Sequence, residues 1–490
     1  MISTPLTQGS TRGAKLRIAL LHLGALPRGG HPRHHLAPVD FGILAAQLEA
    51  EGHAVSFADS AVDGGAKACL RALRATAPQL LVLRVAMHAL DELAVVEASR
   101  LAAPVIAVGP VATTLPRLLA RSLSSLVAVV RGEAEAVLPG LLQMWDTTSA
   151  PPKVPGLLSR AEALDFDDAP GSEGRSVAYV SDLDALPTAA PTLFLARPYR
   201  FGYPMKTSRK LRIGYLLSAR GCPHRCSFCS PVERASIGKG FRPRDPVQVA
   251  AEALALQRNG ATGIYFLDDL VSVTRGVSGS GAGEDRHRAL AEAFLGAGVS
   301  IPWALQARVG GIDRETAKVL ARAGCSTVCV GVESGDDGIL KRLDKGTRAE
   351  EAEEQFAFFR EAGLLSVAFL IVAAPGEDEA ALERTRELVR AIRPDLLQVH
   401  LFTRYPGSRE TAVDSGHGTV YGADSYETKF WHPDQAQGGR DPRQAQGQLY
   451  RDFYLNPRTW ARIAGHSAPF YLANLPNTLS LGLALLRRIR

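Results

Sequence analysis

A strand–helix alternation that runs twice along the chain constrains its fold more than any other feature. In the first 150 residues short apolar runs, "LRIALLH" (16–22), "AVSFAD" (54–59), "LLVLRVA" (80–86), "PVIAVG" (104–109) and "LVAVVRG" (126–132), are separated by helical patterns such as "FGILAAQLEAEGH". Neighbouring parallel strands need long crossovers, which helices supply, so this alternation predicts a parallel, doubly wound sheet. A second series begins near residue 206. Its strands are "LRIGYLLS" (211–218), "GIYFLD" (263–268), "PWALQAR" (302–308), "TVCVGVE" (327–333), "SVAFLIVA" (366–373) and "LLQVHLF" (396–402). Six such βα units predict either an incomplete barrel or a second open sheet, with function in the loops after the strands.

Between the two series, residues 147–205 change character. "TTSAPPKVPG", "DFDDAPGSEG" and "LPTAAPTLFLARPYRFGYP" are rich in Pro, Gly and Asp and read as an extended linker, with a short hairpin near "SVAYVSDLD". The resulting layout is a first domain over 14–146, a linker over 147–205, a second domain over 206–410 and a small C-terminal domain over 411–490. A chain of 490 residues exceeds what one core supports, in keeping with that division. The net charge of +6 is spread over many arginines without basic runs interleaved with aromatics, which argues against a nucleic-acid partner. No apolar segment is long enough for a signal or membrane helix, and six cysteines are too few for a disulfide framework, so a reducing cytoplasm is expected.

Three of those six cysteines, Cys222, Cys226 and Cys229, lie within eight residues in "SARGCPHRCSFCSP", after the first strand of the second series. Thiolates this close suit zinc, an iron–sulfur cluster or a redox pair. Zinc wants a fourth ligand, for which His224, Cys325 and Cys329 are the candidates. A [4Fe–4S] cluster on three cysteines instead leaves one iron open to a non-protein ligand, and the spacing Cys-x3-Cys-x2-Cys suits it. Cys69, Cys325 and Cys329 are expected to serve as small buried hydrophobes, with Cys329 facing substrate if it points inward.

The triplet, with Phe228 in the aromatic place before its last cysteine, resembles the cluster motif of the radical S-adenosylmethionine (SAM) enzymes. The resemblance runs in order through "YFLDDLVSVTR", "QARVGGIDRETAKVLARAG", "CVGVESGDDGILKRLDKGT", "FLIVAAPGEDEAAL" and "VHLFTRYPGS". It implies a partial (β/α)6 barrel. It also implies that Asp268 and Asp269 meet the methionine amino group, that Arg308 meets the carboxylate, and that Glu333 and Ser334 meet the ribose or amino group. In such enzymes the open iron chelates SAM, and one electron cleaves it to a 5′-deoxyadenosyl radical.

The first series resembles the cobalamin-binding domain that precedes this barrel in one large subclass, through "APVDFGILAAQLEAEGHAVSFAD", "VIAVGPVATTLP" and "VVRGEAEAVLPGLL". The resemblance implies cobalamin contacts at Gly109, Pro110, Thr113, Gly132 and Glu133. A DxHxxG motif is missing from the chain, so cobalamin bound without histidine below the metal is expected. His31, His34 and His35, in the long loop after the first strand, read as a solvated basic loop.

Together the resemblances imply a cobalamin-dependent radical SAM methyltransferase that moves a methyl group from SAM, by way of methylcobalamin, to an unactivated carbon. They further imply a small-molecule or carrier-bound substrate, a role in natural-product (antibiotic-type) biosynthesis, and an electron donor such as flavodoxin or ferredoxin. Cyclisation or rearrangement with the same cofactors is the alternative outcome. A cobalamin-carrying sensor is the non-enzyme alternative, against which the complete cysteine triplet argues. The aromatic-rich C-terminal segment is expected to cover the barrel mouth.

Overall fold

The structure, a computed structural model, describes residues 15–24, 36–145, 150–166, 177–199, 201–229, 240–273, 285–403, 442–475 and 478–479. Five parallel strands form the first sheet: β1 (Arg17–Leu23), β2 (Ala54–Asp59), β3 (Leu80–Val85), β4 (Val105–Val108) and β5 (Leu126–Val130). Their order is β2-β1-β3-β4-β5. Continuous apolar runs make such strands because both faces are covered. Along β1, Ala19, Leu21 and Leu23 face one helical layer, while Ile18 and Leu20 face the other. The second layer contains α1 (Val39–Ala50), through Phe41, Leu44 and Leu48.

The stretch read as a linker contributes structure. β6 (Leu157–Ser159) adds antiparallel to β5 at the edge of the sheet. Ala178, expected in a hairpin, instead bridges to Gly132 in parallel. The composition is that of a linker because these pieces are stabilised by the domain they lie on.

The second sheet has six parallel strands in sequence order: β7 (Ile213–Leu216), β10 (Gly263–Phe266), β11 (Trp303–Arg308), β12 (Cys325–Glu333), β13 (Leu365–Val372) and β14 (Leu396–Leu401). A two-stranded ribbon, β8 (Ala219–Arg220) with β9 (Arg242–Pro243), follows β7. One face of the six strands packs on helices. Opposite-face residues from across the sheet, among them Tyr215, Tyr265, Ala304, Cys329 and Val367, share one apolar cluster, so the sheet curls on itself. Phe201 and Tyr203 fill the bore. The Phe201 ring lies 4.5 Å from that of Tyr265, and the Tyr203 ring lies 5.9 Å from that of Phe369.

The curl leaves β14 an open edge, which natural sheets protect. Here a helix covers it. Helix Pro442–Tyr454 presents Gln446, Tyr450 and Tyr454, four residues apart on one face, to the β14 backbone. Val399 N–H donates to the Tyr450 hydroxyl (2.9 Å), Leu397 N–H donates to that of Tyr454 (3.2 Å), and Gln446 donates to Val399 O (2.7 Å). The next helix, Pro457–Ala473, ends at Asn474, whose side chain accepts from Leu211 N–H just before β7 (2.9 Å). These helices therefore bind the two edge strands near their starts, opposite the cysteine loop. Of the C-terminal domain 411–490, expected over the mouth, the described helices instead pack at the strand starts, because their side chains satisfy the open edge backbone there; residues 411–441 lie outside the described residues.

Candidate functional site

The cysteine loop grows from a tightly fixed root. After β7, Asp268 at the end of β10 accepts from Ser218 N–H (2.7 Å), Ala219 N–H (2.9 Å) and the Ser218 hydroxyl (2.6 Å). Burial pushes this carboxyl up to about 6, while those donors hold it down. Asp268 was expected to meet the amino group of SAM. It is fully buried and most of its acceptor capacity goes to the loop root. Its neighbour Asp269 is exposed.

Gly221, at φ +86°, turns the chain into Cys222. Only glycine adopts that conformation without strain. Cys222, Cys226 and Cys229 are half-buried and form no disulfide. Ser227 N–H donates to Leu343 O (2.8 Å), and Phe228 packs into the apolar patch of Ile339, Leu343, Ile371 and Phe402. Arg308, at the end of β11, places its guanidinium 3.6 Å from the Cys226 sulfur. Among the described residues no three His, Cys, Asp or Glu side chains converge on a point that one ion could occupy. A cluster spreads its ligands over separate irons, so three half-buried thiols on one anchored loop fit it better than they fit zinc. His224 lies half-buried in the cysteine loop itself, and the other two proposed fourth ligands lie apart from it. Cys325 and Cys329 are buried within β12, the first in the helix-facing core and the second in the bore cluster. Burial pushes both thiols up. Cys69 is a buried thiol pushed up to about 12 by burial, with Asp63 and Asp59 adding to it.

At the end of β12, Glu333 takes a left-handed backbone (φ +66°), uncommon for a side-chain-bearing residue. Its carboxylate pairs with Lys345 (2.7 Å), and the Lys345 ammonium lies 5.7 Å from the centre of the Phe228 ring. A Cβ on Gly331 would stand 2.5 Å from the Glu333 carboxylate and 2.9 Å from the Lys345 ammonium, so glycine there makes room for the pair. Glu333, Lys345 and Phe228 thus form one group beside the cysteine loop. Ser334 is turned away into a local network: its hydroxyl accepts from Asp336 N–H (3.1 Å) and lies 3.3 Å from that of Thr385.

The first domain contributes a cleft at the carboxyl ends of β4 and β5, where parallel sheets bind ligands. Asp40 and Phe41 of α1, Gly109, Pro110, Gly132 and Glu133 line it around roughly 350 Å³ of space that opens to solvent. Gly109 (φ +83°) and Gly132 (φ +95°) turn the chain there, and a Cβ on Gly132 would strike the Ala178 carbonyl. The Thr113 hydroxyl donates to Gly109 O (2.9 Å) and accepts from Gly132 N–H (2.9 Å), so it sets the shape of the cleft. A residue of the barrel also lines this cleft: Arg220, two positions before Cys222. It donates to Glu135 (2.7 Å) and lies 3.4 Å from Glu133. Arg242, its partner across the β8–β9 ribbon, forks onto the two oxygens of Glu133 (2.7 and 2.9 Å). Burial works against the charge of Arg220, yet Glu135 and Glu133 outweigh it and raise its pKa. On the far side of the cleft Asp40 pairs with Arg84 (2.9 Å).

The sequence reading reached Glu133 but missed Arg220, Arg242, Glu135 and Lys345. The readable signal was the pair of glutamates two apart in "RGEAE", directly after a strand end. His31, His34 and His35 lie outside the described residues.

Residues 216–389 match the radical SAM superfamily. An uncharacterized methyltransferase of Pyrococcus horikoshii is 25% identical over 359 residues, 71% of this chain and 72% of its own. The radical SAM methyltransferase TsrM of Kitasatospora setae, solved with cobalamin and a [4Fe–4S] cluster bound, superposes with a TM-score of 0.57. The identity is 18%, over 81% of this chain and 77% of TsrM. OxsB, solved with aqua-cobalamin and SAM bound, superposes with a TM-score of 0.58 at 18% identity, over 76% of this chain and 52% of its own length. With its anchored cysteine triplet and six-stranded parallel barrel, the chain carries a radical SAM domain over residues 216–389 and has the fold seen in the cobalamin-bound TsrM and OxsB structures.

Proposed function

We propose that this enzyme is a cobalamin-dependent radical SAM C-methyltransferase acting on an unactivated carbon. The observation that carries the reading is the sharing of Arg220: it lines the first-domain cleft and begins the loop that bears the cysteines. A ligand in that cleft would therefore lie beside the cluster loop, as one catalytic unit requires.

The chemistry of the cleft supports cobalamin over a dinucleotide. Asp40, Glu133 and Glu135 are each paired with an arginine, so no uncompensated cationic surface awaits a pyrophosphate. Paired carboxylates and guanidiniums offer acceptors and donors together, which suits the neutral carboxamides around a corrin. The 350 Å³ present holds only part of so large a molecule, so the cofactor would also extend along the domain junction.

When bound, the cluster supplies the electron that cleaves SAM, and cobalamin carries the methyl group. The chain's own residues bind and orient. Cys222, Cys226 and Cys229 would hold three irons, and Asp269, Arg308 and Glu333 would orient the amino acid and ribose of SAM. The upper bore, half-buried at Leu267, Gln306, Phe369, Gln398 and His400, would receive the substrate. These positions carry no fixed charge but several placed polar groups. A charged substrate moiety would be desolvated there without a partner, so the part that enters is neutral and largely apolar. That character favours a natural-product ring system or lipid over a phosphorylated metabolite. A flavodoxin or ferredoxin would supply the electron.

The test is anaerobic turnover of the cobalamin- and cluster-loaded enzyme with methyl-labelled SAM and extracts of its host. Label in a new carbon–methyl bond is expected. Formation of 5′-deoxyadenosine with a product of altered skeleton and no label would instead establish cyclisation or rearrangement.

A further inference from the structure

We propose that Arg220 is a positioning residue for the cluster, operated from the first domain through Glu133 and Glu135. The inference is independent of what occupies the cleft. It starts from how few degrees of freedom separate Arg220 from the first cysteine. Ser218 and Ala219 are fixed by Asp268, and Ser218 O accepts from Arg244 N–H (2.9 Å) and from the Arg286 side chain (2.7 Å). Between that root and Cys222 stand only Arg220 and Gly221. Glycine at φ +86° imposes a turn but contributes no side-chain anchor, so the grip on Arg220 sets where Cys222 begins.

That grip comes from the other domain. The side chains of Arg220, Glu133 and Glu135 are all at most 4% exposed. Arg220 and Arg242 stand directly opposite each other in the ribbon, where like charges repel unless an anion lies between them. Glu133 is that anion. It is itself fixed, accepting from Val180 N–H (2.6 Å). The ribbon that frames the cysteine loop therefore keeps its geometry only while the first domain supplies its carboxylates. Removing one partner of such a buried set strands the other charge, which then moves toward water and takes its backbone with it.

The experiment uses the full-length, anaerobically reconstituted enzyme and the isosteric variants Glu135→Gln and Glu133→Gln/Glu135→Gln. The reduced cluster is read by electron paramagnetic resonance with and without SAM, and SAM affinity is measured by titration of that signal. Retained iron and sulfide with altered g values, and at least a fivefold loss of SAM affinity in the double variant, are expected. Arg220→Lys keeps the charge but loses the fork and should fall between wild type and the double variant. A folded double variant that cannot assemble the cluster supports the proposal equally. Should the double variant fail to fold, Arg220→Lys decides by the same two readouts. Wild-type g values and SAM affinity in a folded double variant, or in Arg220→Lys when that variant decides, overturn the proposal.

Discussion

Single residues set the local chemistry of the barrel mouth. Glu377, in the turn after β13, accepts from Ala373 N–H through one carboxylate oxygen, while the other is buried with no hydrogen-bond partner. Burial pushes this carboxyl from 4.5 up to about 7, and the Ala373 amide resists the shift. The folded chain thus holds the proton more tightly than the unfolded chain. The stability gained is fully present below about pH 4.5 and is lost as pH rises toward 7. Denaturant midpoints measured across that range should fall more steeply for wild type than for Glu377→Gln. Parallel curves would show that Glu377 ionises at an ordinary pH. The thiols give a sharper test. Replacing Cys222, Cys226 and Cys229 together by Ala should abolish cluster absorbance and SAM cleavage, and a retained cluster would assign the wrong ligands. Lys345→Met should leave Glu333 buried without its cation and weaken SAM binding roughly tenfold, read by titration. An unchanged affinity would remove the pair from the SAM site.

Secondary elements explain why an incomplete barrel is stable. Its last strand would be an open edge, and helix Pro442–Tyr454 closes it with side chains rather than with another strand. The spacing Gln446, Tyr450, Tyr454 places three polar groups on one helical stripe, matched to the alternate residues Leu397 and Val399. Tyr450→Phe leaves the buried amide of Val399 without its acceptor. The cost should be about 1–3 kcal/mol in urea unfolding. A loss of only a few tenths would mean that water replaces the hydroxyl and that the helix is not what protects the edge.

At the scale of the molecule the two domains are interlocked. Phe194 and Tyr199 pack with Ala37, Val39 and Ile43 of the first domain and with Tyr215 of the barrel in one apolar cluster. The Tyr199 hydroxyl donates to Asp59 (2.6 Å), and Arg197 pairs with Asp63 (3.1 Å). A chain starting at Met205 would lose Phe201 and Tyr203 from the bore and the carboxylates that balance Arg220 and Arg242. It should therefore aggregate or fail to hold a cluster, judged by gel filtration and iron content. A monomeric, cluster-loaded fragment would show the barrel to be an independent folding unit.

The sequence by itself determined the elements and singled out the cysteine loop. All eleven parallel strands fall within a few residues of the apolar runs that announce them, because burial on both faces demands an unbroken apolar stretch. The cysteine triplet was equally legible as a motif, since its three thiols sit on one short loop and their spacing is local. Asp268 and Ser334 show the limit of such reading. Both stand at strand ends where site residues gather, yet only the folded chain reveals that their hydrogen-bonding groups face the loop root and Thr385. Arg220 shows it more fully, for its partners lie 85 and 87 positions away in another domain. Periodicity and spacing record what a residue does along its own element. Which charges meet across a domain junction depends on how two separately patterned cores come together, and that was decided only by tertiary structure.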